Sequence, residues 1–258
     1  MLKNITIIGS GNVATHLGKA LLKKGFSINQ VYSQNKDNSF ELASALNAMP
    51  CDDPKFITDE SDLYIICIKD DFIAKIAQQL VLNNKTVVHT SGSVPMDVLV
   101  HFDNYGIFYP LQTFSKETEI NINEVPFCIE ANNTDTQNKL LALAKMLSNN
   151  VYEINSNQRK KIHVAAVFAC NFSNYLYAIS EDILNKNNID FNILKPLILE
   201  TAKKIQHNSP KDVQTGPAKR NDQEVIRNHI NLLANAKDYQ DIYSLITDNI
   251  IKNNDGKL

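Results

Sequence analysis

The chain has 258 residues, a length that fits one large domain or two ordinary ones. Hydrophobic residues make up 43% of it and charged residues 21%, which is typical of a globular protein with a sizeable core. The formal net charge of −2 provides no broad basic surface for nucleic acid or for an anionic membrane. We therefore expect no nucleic-acid partner and no membrane partner.

The cysteines and the start of the chain favour the cytoplasm. No two of the four cysteines form a Cys-x-x-Cys pair, so we expect free thiols and no metal site. The first strand is predicted from residue 4, which leaves no room for a signal peptide. We also expect no apolar run of the ~18 residues that a membrane span needs.

Strands and helices alternate in the first part of the sequence. Predicted strands cover residues 4–8, 28–33, 63–68, 86–89, 106–109, 127–130 and 151–154. Predicted helices cover residues 13–24, 39–46, 72–80 and 137–147. Asn38 is the expected N-cap of the second helix, and Asp70 and Asp71 are the expected caps of the third. This alternation predicts an α/β fold, a doubly wound and mostly parallel Rossmann sheet.

Strand signals fade after residue 154, and the remainder predicts an all-α domain. Helices are expected over residues 156–185, 192–206, 222–235 and 238–251. The centre of the first, residues 164–170, is apolar all round, so we expect other helices or a partner subunit to enclose it. We place the Rossmann domain at residues 1–154 and the helical domain at residues 155–258.

A glycine-rich stretch between the first strand and the first helix predicts a dinucleotide-binding loop. Residues 9–14 read Gly-x-Gly-x-x-Ala. The first glycine allows a tight turn, the second lets a pyrophosphate approach the backbone, and the small sixth residue allows close helix packing. The following helix offers free N–H groups to the phosphates. The predicted cofactor-binding residues here are Gly9, Ser10, Gly11, Asn12 and Val13.

The end of the second strand indicates which dinucleotide is bound. NAD-binding proteins usually carry an acidic residue there, which accepts from the 2′-hydroxyl of the ribose. This chain instead has Ser33, Asn35 and Lys36, which can donate to a 2′-phosphate. The sequence therefore predicts NADP(H) as the cofactor. Two alternatives stay open: Asp37 could bind the ribose, and Lys36 could be an ordinary exposed lysine.

Ligands of doubly wound sheets gather at the carboxyl ends of the strands, where several polar side chains are expected. His89 and Ser91 lie at one such end, and Gln112 follows another. We consider His89 as a proton donor and Ser91 and Gln112 as substrate contacts. A structural histidine that hydrogen-bonds the neighbouring turn is an equally good interpretation of His89.

The helical part contributes further polar candidates. His163 and Asn171 are eight residues apart on the long helix and are expected to share a face, with Asn174 close by. They could contact substrate or other helices. Arg220 could bind a carboxylate or phosphate, whereas Asp222 is expected to cap a helix. Our catalytic candidates are thus His89, His163 and Asn171, and our substrate-binding candidates are Ser91, Gln112, Asn174 and Arg220.

These motifs together resemble those of known families. Its first half is similar to the NADP-binding domains of the 6-phosphogluconate dehydrogenase-like superfamily, which includes pyrroline-5-carboxylate reductase and deazaflavin-dependent NADP reductases. As a whole it resembles an uncharacterised bacterial family that joins such a domain to a helical domain of unknown function. The stretches that carry this second resemblance are residues 88–93, 109–114, 162–172 and 214–222.

The resemblance implies an NADP oxidoreductase that forms a homodimer through its helical domain. Many hydroxyacid dehydrogenases of the superfamily place Lys and Asn four residues apart on the long helix. Here Val167 is both the residue four positions after His163 and the residue four positions before Asn171, so neither candidate has such a partner. The mechanism of those dehydrogenases therefore cannot be transferred. We expect hydride transfer to or from a small, anionic carbonyl or imine compound. The alternative is a non-catalytic NADP(H)-binding regulatory or sensor protein.

Overall fold

A computed structural model describes residues 2–255. The chain forms two compact units, one up to Asn171 and one from Phe172 onward. The division lies inside the long helix and not at its start near residue 155, because the first turns of that helix are fastened to the sheet.

The first unit is built on one eight-stranded sheet of order β3-β2-β1-β4-β5-β6-β7-β8. All neighbouring pairs are parallel except β6 and β7, which are antiparallel. This confirms the predicted α/β fold with a mostly parallel Rossmann sheet. The strands are β1 Asn4–Ile8, β2 Ser27–Tyr32, β3 Met49–Cys51, β4 Leu63–Ile66, β5 Thr86–His89, β6 Asn104–Pro110, β7 Phe127–Ala131 and β8 Val151–Glu153.

Four helices connect these strands, and a fifth follows the sheet. They are α1 Asn12–Lys23, α2 Lys36–Ala45, α3 Asp70–Ala77, α4 Thr134–Leu147 and α5 Ser156–Ala166. Apolar side chains of β1 point alternately to the two faces of the sheet, Ile7 into one hydrophobic cluster and Ile8 into another. Both faces are therefore buried, as expected for parallel strands covered by helices.

Three local features differ from the sequence prediction. Strand β3 was not predicted, since Met49–Cys51 is short and contains a proline. Helix α2 begins earlier than expected because Asn35, and not Asn38, is its N-cap and accepts from the backbone N–H of Asn38. Lys69 occupies the N-cap position of α3, so Asp70 and Asp71 lie in its first turn.

The long helix covers Ser156–Asn185 but is not regular throughout. Between α5 and α6 (Ser173–Asn185), Val167–Phe172 forms a π-helical segment. By length and composition alone this helix of 30 residues could cross a membrane, which corrects the expectation of no such run. None of its most apolar window is buried by the residues that the structure describes, so the described helices do not enclose it.

The second unit is helical, as predicted. After α6 it contains α7 Lys195–Lys204, α8 Pro217–Arg220, α9 Gln223–Leu232 and α10 Lys237–Asp255. Asp222 caps α9 by accepting from the backbone N–H of Val225, which confirms its expected role. The hydroxyl of Tyr239 on α10 donates to Asp182 on α6 over 3.0 Å.

Candidate functional site

A cavity of about 1410 Å³ lies within the first unit at the carboxyl ends of the parallel strands. It is larger than the usual pocket for a drug-sized molecule and suits an extended ligand. Its lining follows the strand order from β3 to β6. The residues that line it are 9–13, 32–35, 52–54, 67–70, 90–92, 109–110 and 112, together with Phe72, Lys75, Ile76, Gln79, Phe114 and His163.

The glycine-rich loop forms the centre of this cavity. Gly9 has φ of +130°, and a β-carbon there would collide with the backbone carbonyl of Cys67. Gly11 is different, because a β-carbon on it would meet no atom within 4 Å. The first glycine is therefore required by the protein fold, and the second keeps open a space beside the loop that a ligand can occupy.

Helix α1 begins at this loop without a side-chain cap. Gly11 is its N-cap residue and makes no capping hydrogen bond, whereas Asn35, Asn133, Asn155 and Asp222 cap their own helices. The first N–H groups of α1 are therefore available to an anion, and the helix dipole favours negative charge at this end. This arrangement fits the pyrophosphate of a dinucleotide.

Side-chain hydrogen bonds hold the loop in place. Ser10 donates to Ser33 at the end of β2, with 2.8 Å between the two Oγ atoms. Asn12 donates through Nδ2 to the carbonyl of Phe114 over 2.7 Å. The loop is thereby connected to both neighbouring segments of the cavity wall before any ligand binds.

One end of the cavity lies beside the end of β2, and we name it the ribose-binding end for the role that the sequence predicts for it. It contains some of the predicted residues and two acidic residues that the sequence did not predict there. Ser33 and Asn35 line the cavity as predicted, but Lys36 is exposed on the first turn of α2 and is not among the lining residues. Asp52 and Asp53 also line this end. They follow the short strand β3, and no sequence signal placed that strand beside β2.

His89 does not reach the cavity. It is fully buried, its Nδ1 accepts from the backbone N–H of Ser91, and its Nε2 lies 3.4 Å from the carbonyl of Pro95. Burial lowers the pKa of His89 to about 4, so its ring is neutral near pH 7. The geometry favours the alternative of a structural histidine that shapes the turn after β5, and it corrects the candidate proton-donor role.

His163 lies at the opposite end of the cavity from the ribose-binding end, together with Thr90, Ser91 and Gly92. Its Nδ1 is 3.2 Å from the hydroxyl of Tyr109 on β6. The stretch that begins at Tyr109 is one of those that carry the family resemblance, but no sequence pattern predicts a role for the tyrosine itself. Side chains alternate between the two faces of a strand, so residues 105, 107 and 109 of β6 share one face. This alternation is the sequence signal that could have pointed to Tyr109.

The other candidates are divided between this cavity and elsewhere. Gln112 lines the cavity, and Ser91 lines it next to Gly92. Asn171 lies in the π-helical segment, Asn174 on α6 and Arg220 at the end of α8, and all three are exposed and outside the lining. The π-helical segment interrupts the spacing of 3.6 residues per turn that predicted a shared face for His163 and Asn171.

The lining suits a dinucleotide better than a metal ion. It offers an open glycine loop, an uncapped helix N-terminus and polar groups at both ends. Over the described residues, no group of three or more His, Cys, Asp or Glu side chains is arranged to hold a metal ion. The hydrogen-bonding groups of the cavity are thus arranged along a strand-end cleft, as in nucleotide-binding sheets.

Comparisons with known proteins agree with this geometry. Residues 4–92 match the family model described as NADP oxidoreductase coenzyme F420-dependent, and residues 125–250 match a domain of unknown function, DUF2520. No protein of curated function matches the chain. A crystal structure of a "putative NADP oxidoreductase" from Bacteroides fragilis is 44% identical, with a TM-score of 0.92, 97% of this chain covered and 98% of that one.

Two more distant structures share the fold. Pyrroline-5-carboxylate reductase from Streptococcus pyogenes is 16% identical with a TM-score of 0.64, and 96% of this chain and 98% of that one are covered. An imine reductase from Myxococcus stipitatus in complex with NADP+ is 15% identical with a TM-score of 0.62, over 96% and 92% of the two chains. The near full-length match at 44% identity shows the family, and the chain belongs to the NADP oxidoreductase family of the Bacteroides fragilis protein.

Proposed function

We propose that this chain binds NADP(H) and uses it to reduce or oxidise a C=O or C=N bond of a small anionic compound. The observation that carries the proposal is the open space beside Gly11 at the uncapped start of α1, inside a cavity that continues to His163. When bound, the nicotinamide supplies or accepts a hydride at the substrate carbon.

The residues that would hold the cofactor follow the cavity. The backbone N–H groups at the start of α1 bind the pyrophosphate, with Gly11 giving it room. Ser33 and Asn35 bind the adenosine ribose and its 2′-phosphate, and Lys36 adds positive charge at that end. Asp52 and Asp53 also line this end, so their carboxylates oppose part of the attraction of Lys36 for the 2′-phosphate.

The opposite end of the cavity provides the proton chemistry. His163 lines this end, and an imidazole is the side chain most often used for general acid–base catalysis. We assign the substrate contacts there to Ser91 and Gln112. The anionic group of the substrate would be attracted by Lys69 and Lys75, which also line the cavity. Asn171, Asn174 and Arg220 lie outside this lining and are assigned no contact in it.

Calorimetric titration with NADPH and NADH tests the cofactor assignment. Asn35→Asp keeps the N-cap acceptor of α2 and adds one negative charge where the 2′-phosphate is proposed to bind. We expect it to weaken NADPH binding about tenfold, or ~1.4 kcal/mol, and to leave NADH binding nearly unchanged. Lys36→Glu should weaken NADPH binding in the same direction.

Asn155→Asp is the matched control, because it makes the same change at an N-cap that does not line the cavity. An equal loss of NADPH affinity in Asn35→Asp and Asn155→Asp would contradict the cofactor assignment. So would a failure of the unmodified protein to bind either nucleotide. Tight binding of both nucleotides, with no oxidation of NADPH by broad panels of carbonyl and imine compounds, would favour the non-catalytic sensor.

We further propose that two copies of the chain form a homodimer in the cytoplasm through the long apolar helix. The supporting observation is that the most apolar window of Ser156–Asn185 is not buried, and Val164 and Tyr175 are more than half exposed. Exposed apolar faces of this length usually mark an interface. Sedimentation equilibrium should give twice the mass of one chain. Tyr175→Glu should shift the measured mass toward that of the monomer. Recovery of the protein only from membranes would contradict the proposal.

A further inference from the structure

Tyr109 is a buried tyrosine whose hydroxyl contacts a proposed catalytic histidine. It lies near the carboxyl end of β6 with 8% of its surface exposed. Its ring meets that of His163 edge to face, with 6.2 Å between the centroids and an angle of 71° between the planes. Ring packing and the hydrogen bond together restrict how the imidazole can turn.

Gly92 makes this approach possible. A β-carbon on Gly92 would lie 2.5 Å from Nδ1 of His163 and 3.0 Å from Cζ of Tyr109. Three distant segments, the turn after β5, strand β6 and helix α5, therefore converge with no space for one more carbon atom. The imidazole is held between the turn and the tyrosine.

The hydroxyl of Tyr109 can serve both protonation states of the imidazole. Burial raises the pKa of Tyr109 to about 12, so its hydroxyl remains protonated near pH 7. Nδ1 of His163 is the one hydrogen-bond partner of this hydroxyl within the described part of the chain. The hydroxyl can donate to Nδ1 of a neutral ring that carries its proton on Nε2, and it can accept from Nδ1 of the imidazolium.

We propose that Tyr109 is the positioning residue of the proton donor: its hydroxyl holds Nδ1 of His163, so that Nε2 exchanges the proton with the substrate. This inference rests on the proposed function. Nε2 has no hydrogen-bond partner among the residues that the structure describes, and His163 lines the cavity. Both facts leave Nε2 available to a ligand.

The proton transfer is balanced in the direction of reduction. The N–H bond at Nε2 of the imidazolium breaks, its electron pair stays on Nε2, and the proton forms the new O–H or N–H bond of the product. His163 becomes neutral and keeps its other proton on Nδ1, which remains hydrogen-bonded to the hydroxyl oxygen of Tyr109. A solvent proton then restores the imidazolium. Tyr109 itself gains and loses no proton in this cycle.

Tyr109→Phe tests the inference without any substrate. Nitrogen-15 NMR of the free protein, with the His163 signals identified by their loss in His163→Gln, reports which ring nitrogen carries the proton. In the unmodified protein above the titration range we expect the Nε2–H tautomer to dominate. In Tyr109→Phe we expect a mixture of both tautomers, since the hydrogen bond to Nδ1 is lost.

Tyr105→Phe is the matched control. Tyr105 lies four residues earlier on the same face of β6 and takes no part in the hydrogen bond to His163. It should leave the tautomer unchanged. An unchanged tautomer in Tyr109→Phe, or an equal change in both variants, would overturn the inference.

Kinetics provide a second measurement once a substrate is found. Tyr109→Phe should lower kcat about tenfold or more with little change in KM, because a misplaced donor affects the transition state most. His163→Gln should lower kcat about 10²-fold, and adding Tyr109→Phe to it should have little further effect. Equal kcat values for Tyr109→Phe and the unmodified protein would also overturn the inference.

Cofactor titration separates the two possible failures. If NADPH binds to Tyr109→Phe as it does to the unmodified protein but the tautomer is unaffected, only the role of Tyr109 is wrong. If NADPH does not bind to the unmodified protein, the proposed function is wrong whatever the NMR result.

Discussion

Arg159 and Glu130 form an ion pair that fastens α5 to β7, with 2.8 Å between Nη1 and Oε2. The guanidinium is fully buried and also donates through Nη2 to the carbonyl of Val94 over 2.5 Å. Its Nε has no partner among the described residues. Since His163 is one helical turn further along α5, this anchor fixes the part of the helix that reaches the cavity.

Arg159→Met should destabilise the protein strongly. The substitution leaves Glu130 with a carboxylate that is mostly shielded from water, and we expect a loss of about 3 kcal/mol of unfolding free energy. Urea unfolding measures it, with Lys160→Met on the exposed neighbouring position as control. The double variant with Glu130→Gln should recover part of the loss. Exposed ion pairs contribute about 1 kcal/mol or less, so a loss below that value would contradict the role of Arg159 as a buried anchor.

His89 should make stability depend on pH below neutrality. Its pKa in the folded state is about 4, against 6.5 for the ordinary value, because burial disfavours the charged ring. Between these two pH values the unfolded chain therefore binds more protons at His89 than the folded protein does. The contribution of neutral His89 to the unfolding free energy is complete above pH 6.5 and is lost as the pH falls toward 4. The loss is on the order of 3 kcal/mol.

The measurement is the unfolding free energy of the unmodified protein and of His89→Gln at several pH values between 4 and 8. The difference between the two proteins isolates His89 from the carboxylates that titrate in the same range. Parallel curves would show that His89 does not carry this dependence.

The two loop glycines should respond oppositely to alanine. Gly11→Ala meets no protein atom, so stability should change little while NADPH binding weakens more than about tenfold, because the new methyl group occupies the pyrophosphate space. Gly9→Ala must distort a backbone at φ of +130° against the Cys67 carbonyl, and about 2 kcal/mol or more of stability should be lost.

Thermal unfolding and calorimetry on both variants check this contrast. Unchanged NADPH affinity in a stable Gly11→Ala protein would show that the space beside Gly11 is not the pyrophosphate site.

Ser39 should be a structural residue of the ribose-binding end. Ser39 is buried on α2, and its Oγ accepts from the backbone N–H of Cys51 over 3.0 Å. The same Oγ lies 2.9 Å from the carbonyl oxygen of Val31, to which it can donate. Ser39→Ala leaves a buried N–H without this acceptor and should cost about 1–3 kcal/mol. The exposed Ser44→Ala on the same helix is the control for helix propensity. Equal urea midpoints for the two variants would contradict the assignment.

Much of the first unit could be predicted from local patterns. Buried strands such as β1 and β4 are apolar and β-branched, and the glycine loop follows β1 directly, so spacing alone located a loop that lines the cavity. Strand β3 could not be predicted, because three residues with a proline become a strand only through pairing with β2. The acidic residues that follow β3 were missed for the same reason.

The sequence by itself determined the sheet, the loop and the candidate histidines, because strand burial, glycine requirements and polar interruptions are encoded within short segments. Only the tertiary structure decided between the histidines. His89 lies inside the turn that it hydrogen-bonds, while His163 lies in the cavity wall against Tyr109, a residue more than fifty positions away in sequence. Such contacts depend on how β5, β6 and α5 pack together, and no local pattern contains that information.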